Sequence, residues 1–195
     1  GTKSQRIDSN GFRIGLVPET VDIRRELLDR NPLVHGSVMF RRQPVVKLGG
    51  YDEFFVRAQD YELWQRVARR HEIAILPTVQ YLFRQHLGNT RLKQGEEAAL
   101  YQLLVRRIAR DAITDDQLAE VKETGLSHFR KYMDHLEMAF YCKAVANMHM
   151  WNGRKREAVQ AYMRAIRYSP LQAREYLNLT LACLGPRIWK HFHSI

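Results

Sequence analysis

The stretch Gly49-Gly50-Tyr51-Asp52-Glu53-Phe54-Phe55-Val56-Arg57-Ala58-Gln59-Asp60-Tyr61-Glu62-Leu63-Trp64 most constrains what this chain can fold into. Two adjacent glycines make a turn, a short aromatic loop follows, and an acidic residue then opens an amphipathic helix. Leu63, Trp64 and Val67 recur at helical spacing, while Glu62, Gln65, Arg66 and Arg69 take the other side. Asp60 thus falls where the first N–H groups of a helix have no intrahelical partner. Those donors and the positive end of the helix dipole stabilise a carboxylate, the form that takes a proton from a bound hydroxyl. A plain helix cap is the second reading of the same residue, because Asp is a preferred cap.

The surrounding patterns alternate between strand and helix. Thr2 to Ile7 and Phe12 to Gly15 flank Asp8-Ser9-Asn10-Gly11, which predicts a β-hairpin. Pro18-Glu19-Thr20 introduces a helix with Val21, Ile23, Arg24, Leu27 and Leu28 on one face, ended by Asn31-Pro32. Leu33 to Phe40 is short, apolar and β-branched, which predicts a buried strand; Gly36 inside it would let a ligand or another backbone come close. Pro44 to Leu48 reads as a short helix closed by Gly49-Gly50. After the Asp60 helix, Glu72 to Pro77 and Val79 to Arg84 predict two strands.

Gly49, Gly50, Tyr51 and Asp52, followed by Gln59, Asp60, Tyr61, Glu62, Leu63, Trp64 and Arg66, resemble the family 2 glycosyltransferases of GT-A fold. That family carries a Gly-Gly-aromatic-acidic turn and a helix start of the pattern Asp-Tyr-Glu-Leu-Trp-x-Arg. Phe40-Arg41-Arg42 after His35-Gly36-Ser37, and Phe83-Arg84-Gln85-His86 at the later strand end, extend the resemblance over about residues 1–95. It implies that Asp60 is the catalytic base of an inverting transfer from a nucleotide-diphosphate sugar to an acceptor hydroxyl. It also implies that Gln59, Trp64, Gly50 and Tyr51 border the substrate, and that His35, Gly36 and Ser37 lie beside the acceptor or the diphosphate. Arg84 would meet the diphosphate, and His86 would hold either that group or a divalent metal, Mg or Mn. The residues themselves leave alternatives: His35 as a satisfied core histidine, His86 as a surface histidine at a strand end, Arg84 as the partner of an acidic residue. Gln59 stands where the family often has Glu, so the pair carries one charge. The family's Asp-x-Asp metal motif does not occur, since Asp115-Asp116 is adjacent and Asp60-Tyr61-Glu62 is the helix start. The resemblance therefore implies the acceptor-side half of a catalytic domain, inactive by itself, with a nucleotide-binding half before Gly1.

From Thr90 onward long helical patterns take over. Ala146, Gly153, Ala158, Tyr162, Ala165 and Pro170 fall at the spacing of a tetratricopeptide repeat, which they resemble. The expected fold is α/β over residues 1–95, a partial GT-A sheet with flanking helices, followed over 96–195 by an all-α tail with a TPR-like hairpin. That hairpin is either one repeat of a solenoid or a helix pair packed on the catalytic domain. The alternative function is a non-catalytic protein-interaction module on the tail, presenting Trp151, Tyr162 and Tyr168 on a concave face to a protein partner. Cys142 and Cys183, among apolar neighbours, read as buried thiols.

The 31 Lys and Arg exceed the 21 Asp and Glu to give a formal charge of +10. The excess is spread as pairs such as Arg24-Arg25, Arg69-Arg70 and Arg106-Arg107. There is no run of five or six like charges, no groove-reading motif and no aromatic interleaving, which argues against nucleic acid. A diffuse basic surface suits sugar-nucleotide phosphates, anionic lipid headgroups or polyanionic acceptors. No run reaches the roughly 18 apolar residues of a membrane span. With the resemblance, this implies a cytoplasmic enzyme, peripheral at the inner face of a membrane, acting on a glycan or lipid-linked acceptor in polysaccharide synthesis. Ile188-Trp189-Lys190-His191-Phe192 mixes aromatic and basic residues and reads as a membrane contact or an unfinished helix.

Overall fold

The computed structural model describes residues 1–16, 22–84 and 95–193. The protein is mostly helical with one small sheet. Its internal contacts divide it into two compact units, Gly1–Leu87 with Leu104–Thr114, and Gly88–Leu103 with Asp115–Ile195.

In the first unit, β1 (Thr2–Ile7) and β2 (Arg13–Leu16) form the expected antiparallel hairpin. Its turn is locked by Asp8, whose Oδ1 accepts the N–H groups of Asn10 and Phe12, both at 2.9 Å. The other edge of β1 is taken by β3 (Leu76–Arg84), which runs parallel to it, giving the order β2-β1-β3. The two strands expected over 72–84 are thus one. Thr2 pairs with Leu76 and Lys3 with Val79, so Pro77 and Thr78 fall in a gap of the ladder. Proline has no N–H to give the ladder and is tolerated there.

Leu33 to Phe40 is not a strand. It is an irregular segment with a 3-10 turn at His35–Ser37, and Met39 is 93% exposed. The Ser37 hydroxyl donates to the Val34 carbonyl at 2.8 Å, a local bond that competes with a ladder. Both edges of β1 are also already occupied, so no central position remains for another strand.

Three helices follow the hairpin: α1 (Ile23–Leu27), α2 (Arg42–Lys47) and α3 (Gln59–Arg70). Asp22 caps α1 through the Arg25 N–H, and the helix ends at Leu27, short of the expected end at Asn31; the expected start at Pro18-Glu19-Thr20 lies outside the described residues. Its last carbonyl, at Leu27, accepts the Tyr61 hydroxyl at 2.6 Å and the Gln65 amide. These bonds satisfy an orphan carbonyl from inside the core. Gly49 and Gly50, with φ of 87° and 70°, end α2 in the left-handed region. The core gathers Leu27, Leu33, Phe55, Leu63, Trp64 and Val67.

The second unit is all helical beyond α4 (Gly95–Ala109), whose residues from Leu104 belong with the first unit. It comprises α5 (Asp115–Thr124), a 3-10 segment at Leu126–Tyr132, α6 (His135–Trp151), α7 (Lys155–Tyr168), α8 (Ala173–Leu184) and α9 (Pro186–His193). An Asp134/Glu137 capping box starts α6. Ala146, Ala158 and Ala165 are fully buried, letting α6 and α7 pack closely, and Gly153 turns the chain between them at φ 76°. α6 and α7 form a helix pair within the expected helical tail. Its core is completed by Met150, Tyr162, Leu181, Ala182 and Trp189. Cys142 is buried, and burial pushes its thiol pKa up; Cys183 is exposed, contrary to the expectation of two buried thiols.

Candidate functional site

The start of α3 is built on strain and clamped by charge. Ala58, at its N-cap, adopts φ 56° and ψ 20°, a left-handed conformation uncommon for a residue with a Cβ. Such positions persist where the surroundings over-determine them, and they cluster at functional sites. Ala58→Gly should therefore raise stability, by up to about 1 kcal/mol in a denaturant titration. No gain would mean that the loop is not strained.

Two residues on, Asp60 is part-buried. Its Oδ1 accepts the Tyr61 N–H at 2.8 Å and its Oδ2 accepts the Asn31 side-chain amide at 3.0 Å. Asn31 is itself fixed, because its Oδ1 accepts the Leu33 N–H at 3.0 Å. The sequence marked Asn31 only as a helix end; its hold on Asp60 depends on the fold of the segment that follows.

Three other expected residues lie against one another, and one of them, Tyr51, feels the charge of Asp60. The Tyr51 hydroxyl lies 3.4 Å from His35 Nε2, and the rings meet edge to face at 6.2 Å. Burial and then the charge of Asp60 raise the Tyr51 pKa, so it stays a hydroxyl donor at neutral pH. His35 also rests on Trp64 at 5.9 Å, and Phe40 closes on the same indole at 5.6 Å. Trp64 is 2% exposed, so it supports the site from below.

The remaining expected residues are placed as follows. Gln59 is exposed at the first position of α3. Gly50 offers its carbonyl to Arg66 at 2.6 Å. The Ser37 hydroxyl is engaged by the carbonyls of Val34 and, at 3.4 Å, Thr2. Arg84, at the end of β3, donates to the carbonyls of Asp8 and Ser9 at 3.1 and 3.0 Å. His86 lies outside the described residues.

Gly36 is filled from within the protein, because a Cβ there would overlap the ring of Tyr81 on β3, with Cε2 at 2.8 Å. Gly36→Ala should cost about 1–3 kcal/mol in thermal or urea unfolding. Adding Tyr81→Ser should return most of that loss. A neutral Gly36→Ala, or no recovery in the double variant, would show that Tyr81 is not the obstacle.

In the sequence Glu62 and Arg66 stand only as positions of the helix pattern; in the structure they form a clamp. Glu62, 6% exposed, accepts Arg66 Nε at 2.6 Å and Nη2 at 2.7 Å. The same guanidinium donates to the carbonyls of Leu48 and Gly50 at 2.5 and 2.6 Å. It therefore ties the double-glycine turn, and Tyr51 next to it, to the helix that carries Asp60.

Among the described residues no group of three or more His, Cys, Asp or Glu could hold a metal ion. The residues expected on a concave aromatic face, Trp151, Tyr162 and Tyr168, each pack on neighbouring side chains. Tyr162 is fully buried, donating to Asn147 at 2.5 Å and accepting from the Trp189 indole at 2.9 Å. Trp151 meets Trp189 edge to face at 5.6 Å with Lys190 over its ring, and Tyr168 is half-buried against His135. No helix among the described residues is long and apolar enough to cross a membrane.

Comparison with protein-family models, curated proteins and solved structures finds no match to this chain.

Proposed function

We propose that this chain carries the acceptor side of an inverting glycosyltransferase, with Asp60 as general base. The observation that carries the reading is the Asp60 carboxylate, oriented by Tyr61 N–H and Asn31, whose charge reaches Tyr51, itself facing His35. In the reaction an acceptor hydroxyl gives its proton to Asp60 while its oxygen attacks the anomeric carbon of a nucleotide-diphosphate sugar. The bond to the diphosphate breaks, and the nucleoside diphosphate leaves with the electron pair. Tyr51 and His35 supply hydrogen-bonding groups for the acceptor's hydroxyls. Their positions are supported by Trp64 underneath and by the Arg66 clamp on the turn, which is what positioning catalysis requires.

A glycosidase would need a second carboxylate facing the same bond. Glu62 is the nearest in sequence, but it is buried and spends both oxygens on Arg66. The reading is tested by incubating the longer protein expected from the resemblance with a panel of nucleotide-diphosphate sugars and glycan acceptors. Release of nucleoside diphosphate should depend on the acceptor and fall away in Asp60→Asn. Absence of release with every donor, or release indifferent to Asp60, would end it.

A further inference from the structure

Helices α8 and α9 expose large apolar side chains among their polar ones. Leu177 and Leu184 stand two turns apart on α8 at 58% and 59% exposure, at the edge of the buried stripe that Leu181, Asn178 and Glu175 form. On α9, Ile188 and Phe192 stand one turn apart, both exposed, while Trp189 alone of that helix's apolar residues is buried in the core. Isolated exposed apolar residues are ordinary; four at helical spacing on consecutive helices form a surface of interest.

Charge selects the occupant. After Glu157 the chain through residue 193 contains a single acidic residue, Glu175. That carboxylate is buried and bound to Lys143 at 2.7 Å, so it offers nothing outward. Arg174 and Arg187 are exposed on the helices that bear the apolar residues, and Lys190 is half-buried over Trp151. A second copy would bring like charges together on the same face. An anionic bilayer instead accepts Leu, Ile and Phe among its acyl chains and Arg and Lys among its headgroups.

We infer that α8 and α9 dock the protein on anionic phospholipid, with Leu177, Leu184, Ile188 and Phe192 entering the interface. The inference is independent of the transferase reading, since it uses none of the residues around Asp60. It is tested with the full 195-residue chain by co-sedimentation with vesicles of phosphatidylcholine alone or mixed with phosphatidylserine. Binding to the mixed vesicles, weakened by raised salt, is expected. Both Ile188→Ser with Phe192→Ser and Arg174→Glu with Arg187→Glu should weaken it by about tenfold or more. The replaced side chains are exposed, so the thermal midpoint should hold; if a pair unfolds, Leu184→Ser alone carries the comparison. Failure to bind mixed vesicles, equal binding to phosphatidylcholine alone, or indifference to these variants overturns the inference. So does a concentration-dependent dimer that the same variants abolish, which would make the face a contact between copies.

Discussion

On the proposed transferase reading, Asp60→Asn is expected to lower glycosyl transfer by about 10²–10⁴-fold, the usual worth of a positioned general base. The variant keeps the shape of the side chain and removes its capacity to take a proton. It also has a readable structural cost. Asp60 uses one oxygen for the Tyr61 N–H and the other for the Asn31 amide, and Asn31 cannot turn over without losing the Leu33 N–H. An Asn at position 60 must therefore set one N–H against another donor, a loss of about 1 kcal/mol at this part-buried site. That small loss should shift the unfolding midpoint only slightly, so a large fall in turnover with intact donor affinity would separate base chemistry from misfolding. Asn31→Ala provides the intermediate case, with the base present but free to rotate. Single-turnover rates and donor titration measure the two quantities independently. A turnover within a few-fold of wild type in Asp60→Asn would remove Asp60 from the base role.

What could be read from the sequence is what local chemistry decides. The Asp8-to-Gly11 turn, the double-glycine end of α2, the entry of α3 near Asp60 and the alanine-lined pair α6 and α7 each depend on residues a few positions apart. The errors share one cause, dependence on a distant partner. Leu33 to Phe40 has strand composition but lost the edges of β1 to β2 and β3, the latter arriving from more than seventy residues away in the chain. Tyr162 obeys the repeat pattern, yet the hydroxyl that could have faced a ligand is claimed by Trp189 from α9. Gly36 invited a ligand by its composition, and Tyr81 takes that space. At the candidate site the pattern placed Asp60, Tyr51, His35 and Trp64 without giving the geometry that joins them. Asn31 and the Arg66 clamp emerge only when the turn folds back on the helix.

The clamp is where stability and site geometry meet, and its removal is expected to produce the largest structural effect. Arg66 makes two bonds to Glu62 and one each to the carbonyls of Leu48 and Gly50. Hydrogen bonding to Glu62 raises the guanidinium's pKa further, against the opposing effect of burial. Arg66→Ala would leave the buried Glu62 charge without its partner and two turn carbonyls without a donor. Breaking a buried pair from one side costs about 3–5 kcal/mol; with the Arg66 side chain 28% exposed, the lower end applies. For a chain of this size that is a fall of about 10 °C in thermal midpoint. Arg66→Lys should fall between, because one ammonium cannot reproduce a planar fork that serves a carboxylate and two carbonyls together. Glu62→Gln should cost less than Arg66→Ala, since the guanidinium keeps both turn carbonyls. Because Tyr51 directly follows the clamped turn, Arg66→Lys should also weaken acceptor binding under conditions where the protein remains folded. If Arg66→Ala melts within a degree or two of wild type, the turn is held by its glycines alone, and Tyr51 owes its place to something other than this ion pair.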